Sequence, residues 1–127
     1  MATFMINCIV IDDDYNITKV FSDVLEIMGL NILACGYDGK EAAELYEKHC
    51  PDLVFTDIMM PGYDGFYGIE KIKKFDPDAK IVAITADVSH ETYQKLEDLN
   101  VTAIICKPFD QSEIKKVLME KYQINTR

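Results

Sequence analysis

The strongest constraint on the fold of this chain is a fivefold alternation of short apolar runs with longer segments of helical periodicity. The apolar runs span residues 8–11, 31–35, 53–55, 81–84 and 103–106. Most of them are continuously apolar rather than alternating, which is typical of strands covered on both faces in a parallel sheet. The alternation predicts five βα units in a doubly wound α/β sandwich of three layers. We expect one domain over residues 1–127, with a core from about 6 to 122.

The segment after the first strand illustrates the helical pattern. Its apolar residues recur at steps of three and four, and Gly29 follows them as a helix stop. Asp64 and Asp110 precede later helical segments and are predicted N-caps. The sequence therefore predicts a first helix whose buried stripe consists of Ile17, Val20, Phe21, Val24, Leu25 and Met28.

Charge and cysteine usage exclude several classes of function. The formal net charge is -9, from 22 acidic and 13 basic residues, whereas nucleic-acid binding depends on clustered basic side chains. No apolar stretch reaches the ~18 residues of a membrane span, and the N-terminus lacks the pattern of a signal peptide. The four cysteines form no C-x-x-C pair, which argues against a zinc site. We expect a soluble cytoplasmic protein that contacts neither nucleic acid nor the membrane interior.

Chemically active residues follow the predicted strands. Sheets of this class place their sites beyond the carboxyl ends of the strands, and in a 2-1-3-4-5 strand order the first and third strands are neighbours. Acidic, hydroxyl and ammonium groups would therefore meet at one edge of the sheet. The residues concerned are Asp12, Asp13 and Asp14 after the first strand, Asp57 after the third, Thr85 after the fourth and Lys107 after the fifth.

A cluster of carboxylates repels itself unless a cation lies within it. Oxygen ligands without histidine or cysteine favour a hard ion, Mg²⁺ or alternatively Mn²⁺. A hydroxyl and an ammonium group beside that ion would neutralise a phosphoryl group. The sequence thus predicts phosphoryl transfer to a carboxylate, which gives an aspartyl phosphate.

Four segments, in order along nearly the whole chain, carry a family resemblance. They are residues 9–14, ending in three aspartates, residues 57–65, the pair Thr85-Ala86, and residues 107–109. Together they resemble a receiver domain of two-component response regulators. The resemblance implies the flavodoxin-like fold of CheY-like proteins. It also implies a signalling domain, which is not an enzyme beyond slow self-catalysed phosphotransfer and dephosphorylation.

The resemblance also implies roles for individual residues. Asp57 would accept the phosphoryl group of a phosphohistidine, from a histidine kinase or a histidine phosphotransfer protein. The downstream effector is unspecified, and the expected state is a monomer or a weak phosphorylation-dependent dimer. The remaining implied roles are metal binding by Asp12 (mainly through water), Asp13, Asp57 and the Met59 carbonyl, phosphoryl contacts by Thr85, Ala86 and Lys107, and a cis peptide bond before Pro108.

One position departs from the family pattern. The resemblance places Ile104 where a switching Tyr or Phe usually stands on the fifth strand. Phosphorylation would shift a surface formed by the fourth helix, the fifth strand and the fifth helix. With an aliphatic residue at this position, we expect the signal to pass through the backbone and the fourth helix instead.

Two alternatives belong to other functional classes. The strand leading to Asp12-x-Asp14 also resembles the start of haloacid-dehalogenase-type phosphatases, with Asp12 as nucleophile. That reading leaves residues 57–65 unexplained, and the chain has no room for a cap domain. The second alternative is a pseudo-receiver that acts without phosphate, which requires an incomplete site.

Overall fold

The computed structural model describes residues 5–124 and 126. Five strands alternate with five helices, as the sequence predicts. The strands are β1 (Asn7–Ile11), β2 (Asn31–Gly36), β3 (Leu53–Asp57), β4 (Ile81–Thr85) and β5 (Ala103–Cys106). The helices are α1 (Tyr15–Ile27), α2 (Gly39–His49), α3 (Gly65–Phe75), α4 (His90–Asp98) and α5 (Gln111–Tyr122). The predicted domain limits of 1 and 127 lie outside the described residues.

The five strands form one parallel sheet in the order β2-β1-β3-β4-β5, which confirms the predicted topology. β1 and β3 are neighbours at the centre, and β5 lies two strands from β3. β3 and β4 each run further than their apolar runs and end on Asp57 and Thr85. The register pairs Asp57 with Ile84 and Thr85 with Cys106. The carboxyl ends of these strands therefore meet at one edge of the sheet.

The core lies in two layers, one on each face of the sheet. Val10 and Phe55 point into the layer covered by α1 and α5, whereas Ile9 and Val54 point into the layer covered by α2, α3 and α4. Neighbouring residues of a strand thus enter opposite layers, as strand geometry requires. The three-layer sandwich that the apolar runs predict is confirmed. Among the described residues no helix has both the length and the apolar character needed to cross a bilayer.

The predicted buried stripe of α1 is wrong at two of its six positions. Ile17 is 47% exposed and Val20 63% exposed, while Thr18 and Ser22 are buried. The Thr18 hydroxyl donates to the Asp12 carbonyl at 3.0 Å, and the Ser22 hydroxyl donates to the Thr18 carbonyl at 2.8 Å. Because backbone carbonyls accept hydrogen bonds from these hydroxyls, burying them costs little free energy. The buried face of α1 therefore includes two polar residues that its apolar pattern does not predict.

Side chains that cap the helices fix where each one begins. Asp64 accepts a hydrogen bond from the Tyr67 amide, and Asp110 accepts from the Ser112 amide, which confirms both predicted caps. Gly29 lies one residue beyond the C-cap of α1 with φ of 99°, a conformation that glycine adopts without strain. The predicted helix stop is therefore confirmed as well.

The loop between β3 and α3 is closed by a very near approach of two backbones. The Gly65 amide donates to the Ile58 carbonyl at 2.8 Å. A Cβ atom at position 65 would lie 2.4 Å from the Asp57 carbonyl oxygen, well inside contact distance. Glycine at the start of α3 therefore allows the helix to press against the end of β3 and fixes the backbone that carries Asp57.

We predict that Gly65→Ala lowers the free energy of unfolding by about 1–3 kcal/mol, since the added methyl group forces backbone to move. The control is Lys74→Ala on the same helix, where the side chain is largely exposed and its ion pair with Glu70 lies in solvent. That change should stay within about 0.5 kcal/mol of the parent. Urea unfolding measures both. Equal stability of the two variants would contradict the close approach at Gly65.

Candidate metal and phosphoryl site

Asp12 and Asp13 leave the end of β1 in different environments. Asp12 is only 6% exposed, and its Oδ1 accepts a hydrogen bond from the Asp14 amide at 2.9 Å. Asp13 is exposed. The Asp14 carboxylate turns to α1 and accepts from the Asn16 and Ile17 amides. Asp14 is therefore the helix cap, and the sequence expectation that it joins the carboxylate cluster is wrong.

Asp57 ends β3 in a largely buried position. It is 8% exposed, and its Oδ1 accepts a hydrogen bond from the Ile58 amide at 2.8 Å. Burial raises the pKa of the Asp57 carboxyl, and the nearby Asp12 charge raises it further, while Lys107 and the Ile58 amide oppose the shift. The ionised carboxylate is thus less stable here than in water, which makes it responsive to an added cation.

Asp12, Asp13 and Asp57 form a single carboxylate cluster, with one ligand oxygen from each lying within 4.8 Å of the others. Lys107 reaches it from the end of β5, with its Nζ 3.3 Å from Asp12 Oδ2 and 3.5 Å from Asp57 Oδ2. Burial tends to lower the pKa of Lys107, but Asp57 and Asp12 outweigh it and the pKa is raised. Three carboxylates around one ammonium group leave two negative charges in excess. This set of oxygen donors fits a hard divalent cation.

The other residues singled out in the sequence lie at or just beyond the carboxyl ends of β3, β4 and β5. Thr85 is fully buried, and its Oγ1 accepts a hydrogen bond from the Asp87 amide at 3.0 Å. Ala86 is exposed, and the Met59 side chain is 58% exposed beyond the end of β3. The peptide bond between Lys107 and Pro108 is cis, as the resemblance implies.

Ile104 is not part of the carboxylate cluster. It is half-buried in the middle of β5 and packs against the core layer under α2, α3 and α4. Its aliphatic side chain has no polar atom that could exchange hydrogen-bond partners with the site. Its position agrees with the expectation that the signal bypasses this residue, which stays a prediction.

Sequence reasoning missed two features of the site. One is a groove of about 540 Å³ between α1 and α5, which opens beside Asp12, Asp57 and Lys107 and includes the exposed Ile17 and Val20 in its lining. The second is a set of hydrogen bonds around Asp87, in the loop between β4 and α4. The one sequence sign of the groove is the excess of apolar residues on α1, and the predicted buried stripe places those residues in the core. No sequence pattern indicated the contacts of Asp87.

Comparison with known proteins agrees with this geometry. The family model described as response regulator receiver domain matches residues 8–119. Chemotaxis protein CheY of Treponema pallidum is 34% identical over 108 residues, 84% of this chain and 75% of that protein. Sporulation initiation phosphotransferase F of Bacillus subtilis is 28% identical over 114 residues, 90% of each chain.

A solved structure shows the same fold. The crystal structure of the CheX-CheY-BeF₃-Mg²⁺ complex from Borrelia burgdorferi superimposes with a TM-score of 0.86 at 27% identity, covering 91% of this chain and 88% of that one. The sheet order, the acidic cluster and the family match point the same way. The chain belongs to the response regulator receiver domain family and is a CheY-like receiver of two-component signalling.

Proposed function

We propose that Asp57 is the phosphoacceptor of this receiver and that its phosphorylation requires Mg²⁺. The observation that carries the proposal is the cluster of Asp12, Asp13 and Asp57 with Lys107 at its edge. Asp57 is the member that ends the central strand β3, and its Oδ2 lies 3.5 Å from the ammonium nitrogen of Lys107. The domain over residues 1–127 would act as one phosphorylated unit.

The residues that would hold Mg²⁺ are Asp13, Asp57 and the carbonyl of Met59, with Asp12 acting through water. This assignment is supported by the oxygen-only donor set and by the excess negative charge of the cluster. Bound there, Mg²⁺ would balance the charge of the incoming phosphoryl group. Mn²⁺ is an alternative for the same ligands.

In the reaction, a carboxylate oxygen of Asp57 forms a bond to phosphorus while the P–N bond of a phosphohistidine breaks. The imidazole nitrogen keeps the electron pair of that bond and takes a proton from solvent. Lys107 Nζ, within 3.5 Å of Asp57, and the Thr85 hydroxyl would donate to the phosphoryl oxygens, beside the exposed Ala86. This places fixed positive charge and hydrogen-bond donors where negative charge develops.

The proposed donor is a histidine kinase or a histidine phosphotransfer protein. The similarity to a protein named sporulation initiation phosphotransferase F supports phosphotransfer between proteins as the context. All four cysteines are free thiols, which suits a reducing compartment such as the cytoplasm. The output surface would be α4, β5 and α5, with a monomer or a weak phosphorylation-dependent dimer as its state and an effector protein as its target.

The phosphatase alternative assigns the covalent step to Asp12. The family match covers residues 8–119 and favours the receiver. The pseudo-receiver alternative needs an incomplete site, whereas Asp12, Asp13, Asp57 and Lys107 lie together here. Modification of Asp57, of Asp12 or of neither distinguishes the receiver, the phosphatase and the pseudo-receiver.

We predict that a small phosphodonor with Mg²⁺ adds one phosphoryl group to the parent protein and none to Asp57→Asn. Intact-mass spectrometry measures the addition, and hydride reduction of the acyl phosphate followed by peptide mapping locates it. Asp14→Asn is the control, because it removes a neighbouring charge while asparagine still caps α1. Labelling of Asp12, or equal labelling of Asp57→Asn, would refute the assignment.

Mg²⁺ should also stabilise the fold, since the ion binds a site that exists only in the native state. At ten times the dissociation constant the gain is about 1.4 kcal/mol, equivalent to a few degrees in Tm. We predict that Asp13→Asn loses most of this rise and that Asp14→Asn keeps it. Thermal unfolding with and without Mg²⁺ measures both variants. A full rise in Asp13→Asn would exclude Asp13 as a ligand.

A further inference from the structure

Ile104 carries no aromatic ring that could change its rotamer on phosphorylation, so other contacts have to link Asp57 to α4. The first turn of α4 supplies two such contacts through consecutive residues. Thr92 connects to the segment after Thr85, and Tyr93 connects to the residue before Lys107. Thr85 and Lys107 are two of the three residues expected to meet the phosphoryl oxygens.

The first contact runs through Asp87 in the loop between β4 and α4. The Asp87 amide donates to Thr85 Oγ1 at 3.0 Å, and its carboxylate accepts from the Thr92 hydroxyl at 2.6 Å and from the Ser89 amide at 2.9 Å. The hydrogen bond from Thr92, with those from Ser89, holds the pKa of Asp87 below its usual range. Thr92 itself is buried. Asp87 therefore links the Thr85 hydroxyl to the first turn of α4 by hydrogen bonds.

The second contact joins α4 to β5. The Tyr93 hydroxyl and Cys106 Sγ are in direct contact. Cys106 is followed by Lys107, whose amide donates to the Thr85 carbonyl at 2.9 Å. Because Lys107 Nζ already spans Asp12 and Asp57, a phosphoryl group there changes the charges that position the end of β5. Tyr93 would follow that change.

We propose that Thr92 and Tyr93 are positioning residues that couple the phosphorylation of Asp57 to α4, through Asp87 and Cys106 respectively. Thr92 and Tyr93 would thereby serve the signalling role that an aromatic residue at position 104 has in other receivers. The Thr85 hydroxyl accepts from the Asp87 amide and keeps its own proton to donate. When it moves to a phosphoryl oxygen, the loop and the first turn of α4 move with it. This inference rests on the proposed function and extends it to the output surface.

The test uses amide chemical shifts of the whole chain with Mg²⁺ and beryllofluoride as the probe. Ile58 and Lys107 report loading of the site, and residues 90–98 report α4. In the parent protein we expect both sets to shift. In Thr92→Val, which removes the hydroxyl but keeps the shape, we expect the α4 shifts to fall at least twofold while the site still loads. Thr92→Ser, which restores the hydroxyl, should return them to the parent values.

Two further variants sharpen the result. Tyr93→Phe keeps the ring and removes the hydroxyl, and it should also reduce the α4 shifts at least twofold. Asp98→Ala is the control, since this carboxylate accepts from Gln94 at the far end of the same helix. It should leave the shifts unchanged. Circular dichroism establishes that each variant is folded before the shifts are compared.

The outcomes separate the two proposals. If the parent protein does not load, the proposed function fails and this inference fails with it. If the site loads and α4 does not shift, or shifts fully in Thr92→Val, the coupling through Asp87 is wrong while the proposed function stands. Failure of Thr92→Ser to restore the shifts assigns Thr92 a purely structural role. Full shifts in Tyr93→Phe overturn the coupling through Cys106.

Discussion

Carboxylates brought together at the carboxyl ends of the central strands β1 and β3 repel one another, and the rest of the site depends on this repulsion. Parallel strands β1 and β3 are neighbours, so Asp12 and Asp57 emerge side by side, and Asp13 completes the cluster. Lys107 offsets only one of the three charges. Burial disfavours the ionised form of Asp57 further and raises the pKa of its carboxyl. The site is therefore built to gain stability from a cation and to change when its charge changes.

The packing that maintains this cluster comes from both faces of the sheet. β3 is buried along its full length between the two core layers, which leaves the backbone of Asp57 little freedom. Gly65 lets α3 approach that backbone, and the Ile58 amide fixes one oxygen of the carboxylate. Asp14 starts α1 without adding a fourth charge to the cluster. The fold thus supplies geometry, and the side chains at the strand ends supply the chemistry.

Much of this follows from sequence because it depends on local patterns. Continuous apolar runs predict the strands, and acids at or near the ends of those runs predict the edge at which Asp12 and Asp57 meet. The face of α1 did not follow, since hydroxyls such as Thr18 can be buried when a carbonyl accepts from them. The link between Asp87 and Thr92 did not follow either. It depends on the path of a loop, which no periodicity describes.

The central claim is that Asp57 carries the phosphoryl group beside a metal ion held by its acidic neighbours. A crystal structure of this chain with Mg²⁺ and beryllofluoride tests it most directly. The account predicts beryllium bonded to a carboxylate oxygen of Asp57, Mg²⁺ in contact with Asp13 and Asp57, and the Lys107 ammonium group turned from Asp12 to a fluorine. Beryllium bonded to Asp12, or a metal ion outside this cluster, would contradict the account.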